Sequence, residues 1–403
     1  MTALSERTIA VVKATIPALE AHGEQITLAL YRRLFESPAV RDMFNQSHQG
    51  DGGSQPRALT NAILAYARNI ENPAVLMPVI ERIAQKHVGL QVLNAHYPVV
   101  AEALLGAIKE VLGDVATDEI LGAWGEAYWF LAKVLIGRED AIYREQAAAA
   151  GGWTGWRQFR IARIRHESEV ITSFVLRPAD GGPVLRHRPG QYLTFRLDIP
   201  GPQDAPSHSV RRNYSISSAA NGKTYRISVK REPLGLASNW LHDHAEVGTI
   251  LEVAPPAGEF FLAEKPERPV VLLSGGVGLT PMVAMLETIA HQHAGLPVHY
   301  IHGTLDGTTH AMGDYVNALA AGNPNITVTT FYQTPRDDDA EHDRAGLIDA
   351  RWLKDHAPAN ADFFLCGPRP FLRTYVSELT RSGVPQDRIH YEFFGPAEEL
   401  LAA

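Results

Sequence analysis

The spacing of apolar residues changes twice along this chain, and each change calls for a different architecture. Up to about residue 146, apolar positions recur every three or four residues. They run Ile9, Val12, Ile16, Leu19, then Leu59, Ile63, Tyr66, Ile70, and then Ile80, Ile83, His87, Leu90. The same step returns in Tyr97, Ala101, Leu104, Ile108, Val111 and in Trp124, Tyr128, Leu131, Leu135. It places side chains on one face of a helix and predicts an all-α domain, with Ile9 to Leu19 on a single helix face. From about 153 to 262 the period drops to two. Leu193, Phe195 and Leu197 alternate with Thr194, Arg196 and Asp198, and Tyr225, Ile227 and Val229 with Arg226, Ser228 and Lys230. Pro189-Gly190 and Asn221-Gly222 supply turns, so an antiparallel β-barrel is expected. Beyond about 268, the short apolar runs Val270–Leu273, Val298–Ile301, Ile326–Phe331 and Phe363–Cys366 are separated by helix-length segments. That spacing belongs to an α/β domain with a parallel sheet. With Ala147–Gly152 as a helix end or linker, three domains follow: 1–147, 148–264 and 265–403.

The 403 residues are too many for one hydrophobic core. A formal net charge of -8 argues against a nucleic-acid partner, because phosphates need a basic face. One cysteine, Cys366, allows no intrachain disulfide and fits a reducing compartment. Glu6, Arg7 and Lys13 interrupt the N-terminal segment, which is no signal peptide, and glycines break the longest apolar run, Val270–Leu286. With no transmembrane segment, a cytoplasmic protein is expected.

Certain residues stand out against these patterns. His87 occupies a stripe position meant for an apolar side chain, although such a histidine is most often simply a core residue with a partner. Glu139 falls four residues after Leu135 on the inward face of the last helix, where a carboxylate must find a partner. Arg212-Asn213-Tyr214-Ser215 ends a strand pattern, after Pro189-Gly190-Gln191-Tyr192 and before Arg226–Glu232. Ser274-Gly275-Gly276-Val277-Gly278-Leu279-Thr280-Pro281 joins a strand to a helix. There glycines let backbone approach a ligand, Thr280 suits an N-cap and Pro281 the first turn. This run lacks the GxGxxG spacing of a dinucleotide fingerprint. Asp337–Asp339 and the pair His242 and His244 read as solvated surface.

Over essentially its whole length the chain resembles the flavohaemoglobins. The likeness is carried by the VKATIPAL start, Tyr31, Phe44, Gln55, Leu59 and the IAQKH segment, then by PGQY, RNYS and RISVKRE. It continues through GGVGLTP, Cys366-Gly367-Pro368 and the closing HYEFFGP. The resemblance implies that His87 ligates haem iron, with Tyr97 and Glu139 behind it and Lys86 tuning the potential by its charge. It implies that Tyr31 and Gln55 line the distal pocket, Leu59 restricts access and Phe44 packs on the porphyrin. For FAD, Arg212 would pair with the pyrophosphate, Tyr214 and Tyr192 would pack on the isoalloxazine, and Ser215 would bond near its reactive nitrogen. Asn213 lies in the same run, and Ser238 is a weaker candidate for the pyrophosphate. The glycine loop, Gly275 to Pro281, would hold NAD(P)H, with Cys366, Gly367 and Pro368 beside the nicotinamide. Phe393, Phe394, Gly395 and Pro396 would cover the flavin, with Glu392 between flavin and haem.

The function so implied is a nitric oxide dioxygenase: NAD(P)H reduces FAD, FAD reduces haem iron, and haem-bound oxygen converts nitric oxide to nitrate. Its partners would be oxygen, nitric oxide and NAD(P)H, with lipid a further occupant of the distal pocket, in a monomer. The sequence departs from the family at Pro56-Arg57, after the Gly50–Gly53 loop, and at Leu305-Asp306, where an arginine-asparagine pair is commoner. Two other readings stay open: a haem-globin gas sensor or oxygen-binding protein with an attached flavin reductase, and a flavin reductase serving a separate partner.

Overall fold

The computed structural model describes residues 4–44, 54–201, 207–339 and 342–395. The described residues fall into two compact units, 4–147 together with 209–211, and 148–208 together with 212–395.

The first unit is helical: α1 (Glu6–Ala14), α2 (Ile16–Leu34), α3 (Pro38–Arg41), α4 (Ser54–Arg68), α5 (Met77–Gly89), α6 (Tyr97–Leu112) and α7 (Asp118–Ala148). Ser5 caps α1, its hydroxyl accepting from Thr8 N at 3.1 Å, a contact worth about 1 kcal/mol. The expected single helix over Ile9 to Leu19 is instead two, broken at Thr15. Pro17 has no N–H to give the carbonyl of Lys13, so the ladder cannot run on. The Thr15 hydroxyl donates to Val12 O and accepts from Trp124 Nε1 on α7, which fixes the corner. Ile26, Leu30, Ala67, Ile80, Val88, Ile108 and Trp124 are buried together as this unit's core.

The second unit holds two sheets. The first comprises β1 (Arg157–His166), β2 (Ile171–Pro178), β3 (Tyr192–Ile199), β4 (His208–Ser215), β5 (Tyr225–Lys230) and β6 (Ile250–Val253), in the order β4-β3-β6-β1-β2-β5. The pairings of β1 with β2 and β6, of β2 with β5 and of β3 with β6 are antiparallel. An antiparallel bridge between Ile216 and Ile227 joins the two ends of this order, as a barrel requires. Of the alternation read from sequence, Leu193, Phe195, Ile227 and Val229 are completely buried, and Thr194 and Ser228 between them are buried as well; Phe159 and Ile161 of β1 join this core. A short helix, α8 (Leu236–Asp243), follows β5.

The second sheet comprises β7 (Val270–Gly275), β8 (Val298–Thr304), β9 (Ile326–Tyr332), β10 (Arg344–Ala345), β11 (Asp362–Cys366) and β12 (Ile389–Glu392). Its helices are α9 (Leu279–Gln292), α10 (Gly313–Ala321), α11 (Ala350–His356) and α12 (Arg369–Arg381). All strand pairs are parallel, in the order β10-β9-β8-β7-β11-β12. The chain starts in the middle, winds one way through β8 to β10, then crosses to β11 and β12. The reversal between β7 and β11 opens a crevice at the carboxyl ends of those strands, where ligands of such sheets bind. Ser274, Cys366 and Glu392 stand in register across it. Among the described residues, no helix is long and apolar enough to cross a membrane.

Candidate functional site

In the helical unit the site is built around His87, in the last turn of α5. Its Nδ1 lies 2.7 Å from Glu139 Oε1 and 3.2 Å from the Tyr97 hydroxyl. Tyr97, opening α6, donates to the same Glu139 oxygen at 2.6 Å. Glu139 is 1% exposed, and its other oxygen is buried without a hydrogen-bond partner. Burial, then Glu139, push the Tyr97 hydroxyl well above the ordinary tyrosine range, so it stays a donor. The Tyr128 hydroxyl, on α7, holds the Tyr97 carbonyl at 2.7 Å, and Tyr143 holds the carbonyl of Val92 at 2.9 Å. With Nδ1–H committed to a carboxylate, the neutral imidazole keeps its lone pair on Nε2, the arrangement that suits a metal ligand. The side chain retains 31% exposure. Lys86, its neighbour, is exposed.

Tyr31 on α2 and Phe44 meet edge to face at 5.5 Å, and Phe35 closes the triangle at 5.6 and 5.4 Å. Tyr31, Phe44 and Leu59 are partly buried against the helical core. Gln55 falls in the first turn of α4, but its side chain lies outside the described residues.

In the barrel, Arg212, Asn213, Tyr214 and Ser215 form the last half of β4. Burial depresses the Arg212 guanidinium and raises the Tyr214 phenol. Asn213 Oδ1 accepts from Thr194 at 2.9 Å, while Ser215 is buried. Tyr192 is buried with its hydroxyl lacking a partner, an orphan that a bound polar ligand would satisfy. Its phenol is pushed up by burial and then by Glu392. Glu392 also raises the Cys366 thiol, which burial alone already holds high. Tyr192, Cys366 and Glu392 thus converge on one neighbourhood. Ser238 is already engaged by its own loop, accepting from Glu232 N and donating to Gly235 O.

At the crevice, a Cβ on Gly278 would stand 2.1 Å from the carbonyl oxygen of Cys366, and Gly276 adopts φ +53. Only glycine lets these two loops touch backbone to backbone. The expected N-cap at Thr280 is corrected: a 3-10 turn over Gly276–Gly278 runs straight into α9, so Gly278 holds that position. The Thr280 hydroxyl turns back to Val277 O at 3.1 Å. Val277 is partly buried, and Leu279, Thr280 and Pro281 are buried in the first turn. Gly367 and Pro368 lead from β11 into α12. Phe393 is partly buried and Phe394 exposed, with Gly395 N bonded to Phe393 O at 2.9 Å; Pro396 lies outside the described residues.

Two surface assignments are corrected. His242 is partly buried, Nε2 lying 2.9 Å from Val229 O, because α8 folds onto β5. Asp339 accepts from Gly307 N at 3.1 Å and from Arg336 N at 2.7 Å, clamping two loops. Sequence reasoning also missed the pairing of Arg226 with Glu287. The signal was present: Glu287 is the lone acid in a helix that is otherwise apolar or uncharged.

Models of three families match the chain: "Globin" over residues 27–135, "Oxidoreductase FAD-binding domain" over 158–262 and "Oxidoreductase NAD-binding domain" over 272–377. A flavohemoprotein of Xylella fastidiosa is 55% identical over 401 residues, covering 99% of each chain. One of Pseudomonas aeruginosa is 46% identical over 403 residues, covering 99% of this chain and all of that one. Among solved structures, flavohemoglobin from Malassezia yamatoensis, with bound FAD and heme, superposes with a TM-score of 0.85 at 29% identity, covering 98% of this chain and 100% of that one. The FAD/NAD binding domain of nitric oxide dioxygenase from Vibrio cholerae matches with a TM-score of 0.54 at 38% identity, over 60% of this chain and 99% of that one.

Proposed function

Because the chain belongs to the flavohemoprotein family and carries the FAD- and NAD-binding modules of an oxidoreductase, we propose that it is a nitric oxide dioxygenase. In this reading residues 1–147 bind haem, 148–264 bind FAD and 265–403 bind NAD(P)H. The observation that carries the reading is the single oxygen of Glu139 shared by His87 and Tyr97. A carboxylate drawing on Nδ1–H makes the imidazole a stronger electron donor, a setting for oxygen activation more than for storage.

The residues fit the groups they would hold. His87 offers Nε2 to haem iron, while Tyr31, Phe44 and Leu59 would wall the opposite side. Tyr192 brings an unpartnered hydroxyl, Arg212 a planar cation and Ser215 a hydroxyl toward FAD. The backbone of Gly276 to Gly278, at the N-terminal end of α9, suits the pyrophosphate of NAD(P)H. When bound, these groups supply hydride acceptance, single-electron delivery and the iron at which oxygen and nitric oxide give nitrate. The chain's own part is to hold His87 in one tautomer, to keep Tyr97 protonated, and to exclude water from Cys366, which is completely buried.

The test is aerobic NADH oxidation with added nitric oxide, following nitrate together with the haem and flavin absorption bands. Nitrate should form in step with NADH consumed. A chain that takes up no haem, or that oxidises NADH and leaves nitric oxide untouched, removes the reading.

A further inference from the structure

Arg226, on β5 of the barrel, reaches in two directions. Its Nε lies 3.1 Å from the carbonyl of Ser217, and Nη2 donates to the same carbonyl. Ser217 stands two residues beyond Ser215, at the end of the run assigned to the flavin. Nη2 also lies 3.5 Å from Glu287 Oε2. Glu287 sits two turns into α9, the helix that begins at the glycine loop. The Tyr315 ring, on α10, covers the guanidinium at 5.0 Å from its centroid. Arg226 and Glu287 are 15% and 16% exposed, so water screens the pair poorly. A second tie runs parallel to it, from Glu169 N, in the β1–β2 turn, to Thr308 O, in the loop after β8, at 3.0 Å. Ile171 of β2 packs in the apolar cluster of the parallel domain.

We propose that Arg226 and Glu287 are a positioning pair for hydride transfer, one guanidinium fixing the distance between the flavin-side turn at Ser215–Ser217 and the nucleotide-side helix α9. The inference rests on the reading of unit 2 as an NAD(P)H–FAD reductase. In that step a hydrogen leaves NADH with its electron pair and passes to FAD, leaving NAD+. Transfer of this kind falls steeply when donor and acceptor drift apart by about 1 Å. An ion pair of low exposure is suited to holding the gap, since losing one partner leaves the other charge uncompensated. The cation–π contact with Tyr315 adds a third point of restraint.

The test uses the full chain loaded with haem and FAD. Anaerobic stopped-flow reduction of the flavin by NADH should show Glu287→Ala lowering the limiting rate about tenfold. The NADH concentration giving half that rate should stay within about twofold, because the nucleotide loop itself is intact. Glu287→Gln, which keeps a hydrogen-bond acceptor, should recover part of the rate, and Arg226→Lys should behave like Glu287→Ala. Without nucleotide, amide exchange over residues 276–283 should quicken in Glu287→Ala. A wild-type limiting rate in Glu287→Ala overturns the proposal. So does a loss explained wholly by reduced FAD content with an unchanged rate per bound flavin, since that marks a merely structural pair. Failure of NADH to reduce the flavin in the unaltered chain removes the reductase reading itself, and this pair's role with it.

Discussion

His87 Nδ1 and Glu139 Oε1 are 2.7 Å apart, although 52 residues separate them in the chain. The Tyr97 hydroxyl reaches the same oxygen, so two donors fix one acceptor and the imidazole has one tautomer and one orientation.

Replacing Glu139 with glutamine should therefore leave the helical fold intact but weaken electron donation by His87. We expect the ferric/ferrous midpoint of bound haem to move positive and nitric oxide turnover to fall by about tenfold or more. Tyr97→Phe, which removes the second donor to that oxygen and keeps the carboxylate, should shift the midpoint only slightly, and in the negative direction. Potentiometric titration and nitrate yield check both.

Gly278→Ala should be severe. Its methyl group would collide with the Cys366 carbonyl, and neither partner is a pliable side chain. A destabilisation of about 1–3 kcal/mol is expected from overpacking, with flavin reduction by NADH lost while haem and FAD remain. Urea unfolding and stopped-flow reduction measure the two effects.

Arg212→Ala should yield a folded protein with a normal haem band and little flavin absorption, since the substitution removes the cation matched to phosphate. Full flavin content in that variant would count against the assignment.

Acid should destabilise the second unit through two neutral histidines. Burial holds His302 down to about 3 and His187 to about 4. Both native values lie below the unfolded value near 6.5, so above that pH neither state takes the proton and no difference arises. As pH falls from about 6.5 toward 4 and 3, the unfolded chain binds protons that the folded chain refuses, and stability drops. Each group contributes at most about 1.4 kcal/mol per pH unit in that window. His302→Asn should flatten the loss between pH 7 and pH 5 in urea titrations.

The Cys366 thiol should be inert. It is completely buried, and burial together with Glu392 raises it well above the usual thiol range. Aromatic disulfide reagents should find no reactive thiol in the native protein and one after denaturation.

The sequence made the architecture legible because each part buries its apolar surface with a different period. Tyr225, Ile227 and Val229 carry the period of a strand, and Val270–Leu273 is one of four short apolar runs separated by helix-length segments, as strands covered on both faces are. Glu139 was legible for a related reason, as a charge on an inward stripe. What escaped were contacts made across the fold. Asp339 and His242 look like surface residues until a loop and a helix close over them. Arg226 lies on a barrel strand and Glu287 on a helix of the parallel domain, and no spacing along the chain relates them. The split of the first helix at Thr15 was missed because apolar periodicity continues through a break that only the missing N–H of Pro17 reveals.

The crevice between β7 and β11 takes one wall from residue 275 and the other from residue 366. Its two sides come from opposite halves of the winding, so nucleotide capture must await the docking of the penultimate strand. Binding of NADH would thereby report that the two halves of the second sheet have come together, whereas the barrel closes its order through the bridge between Ile216 and Ile227.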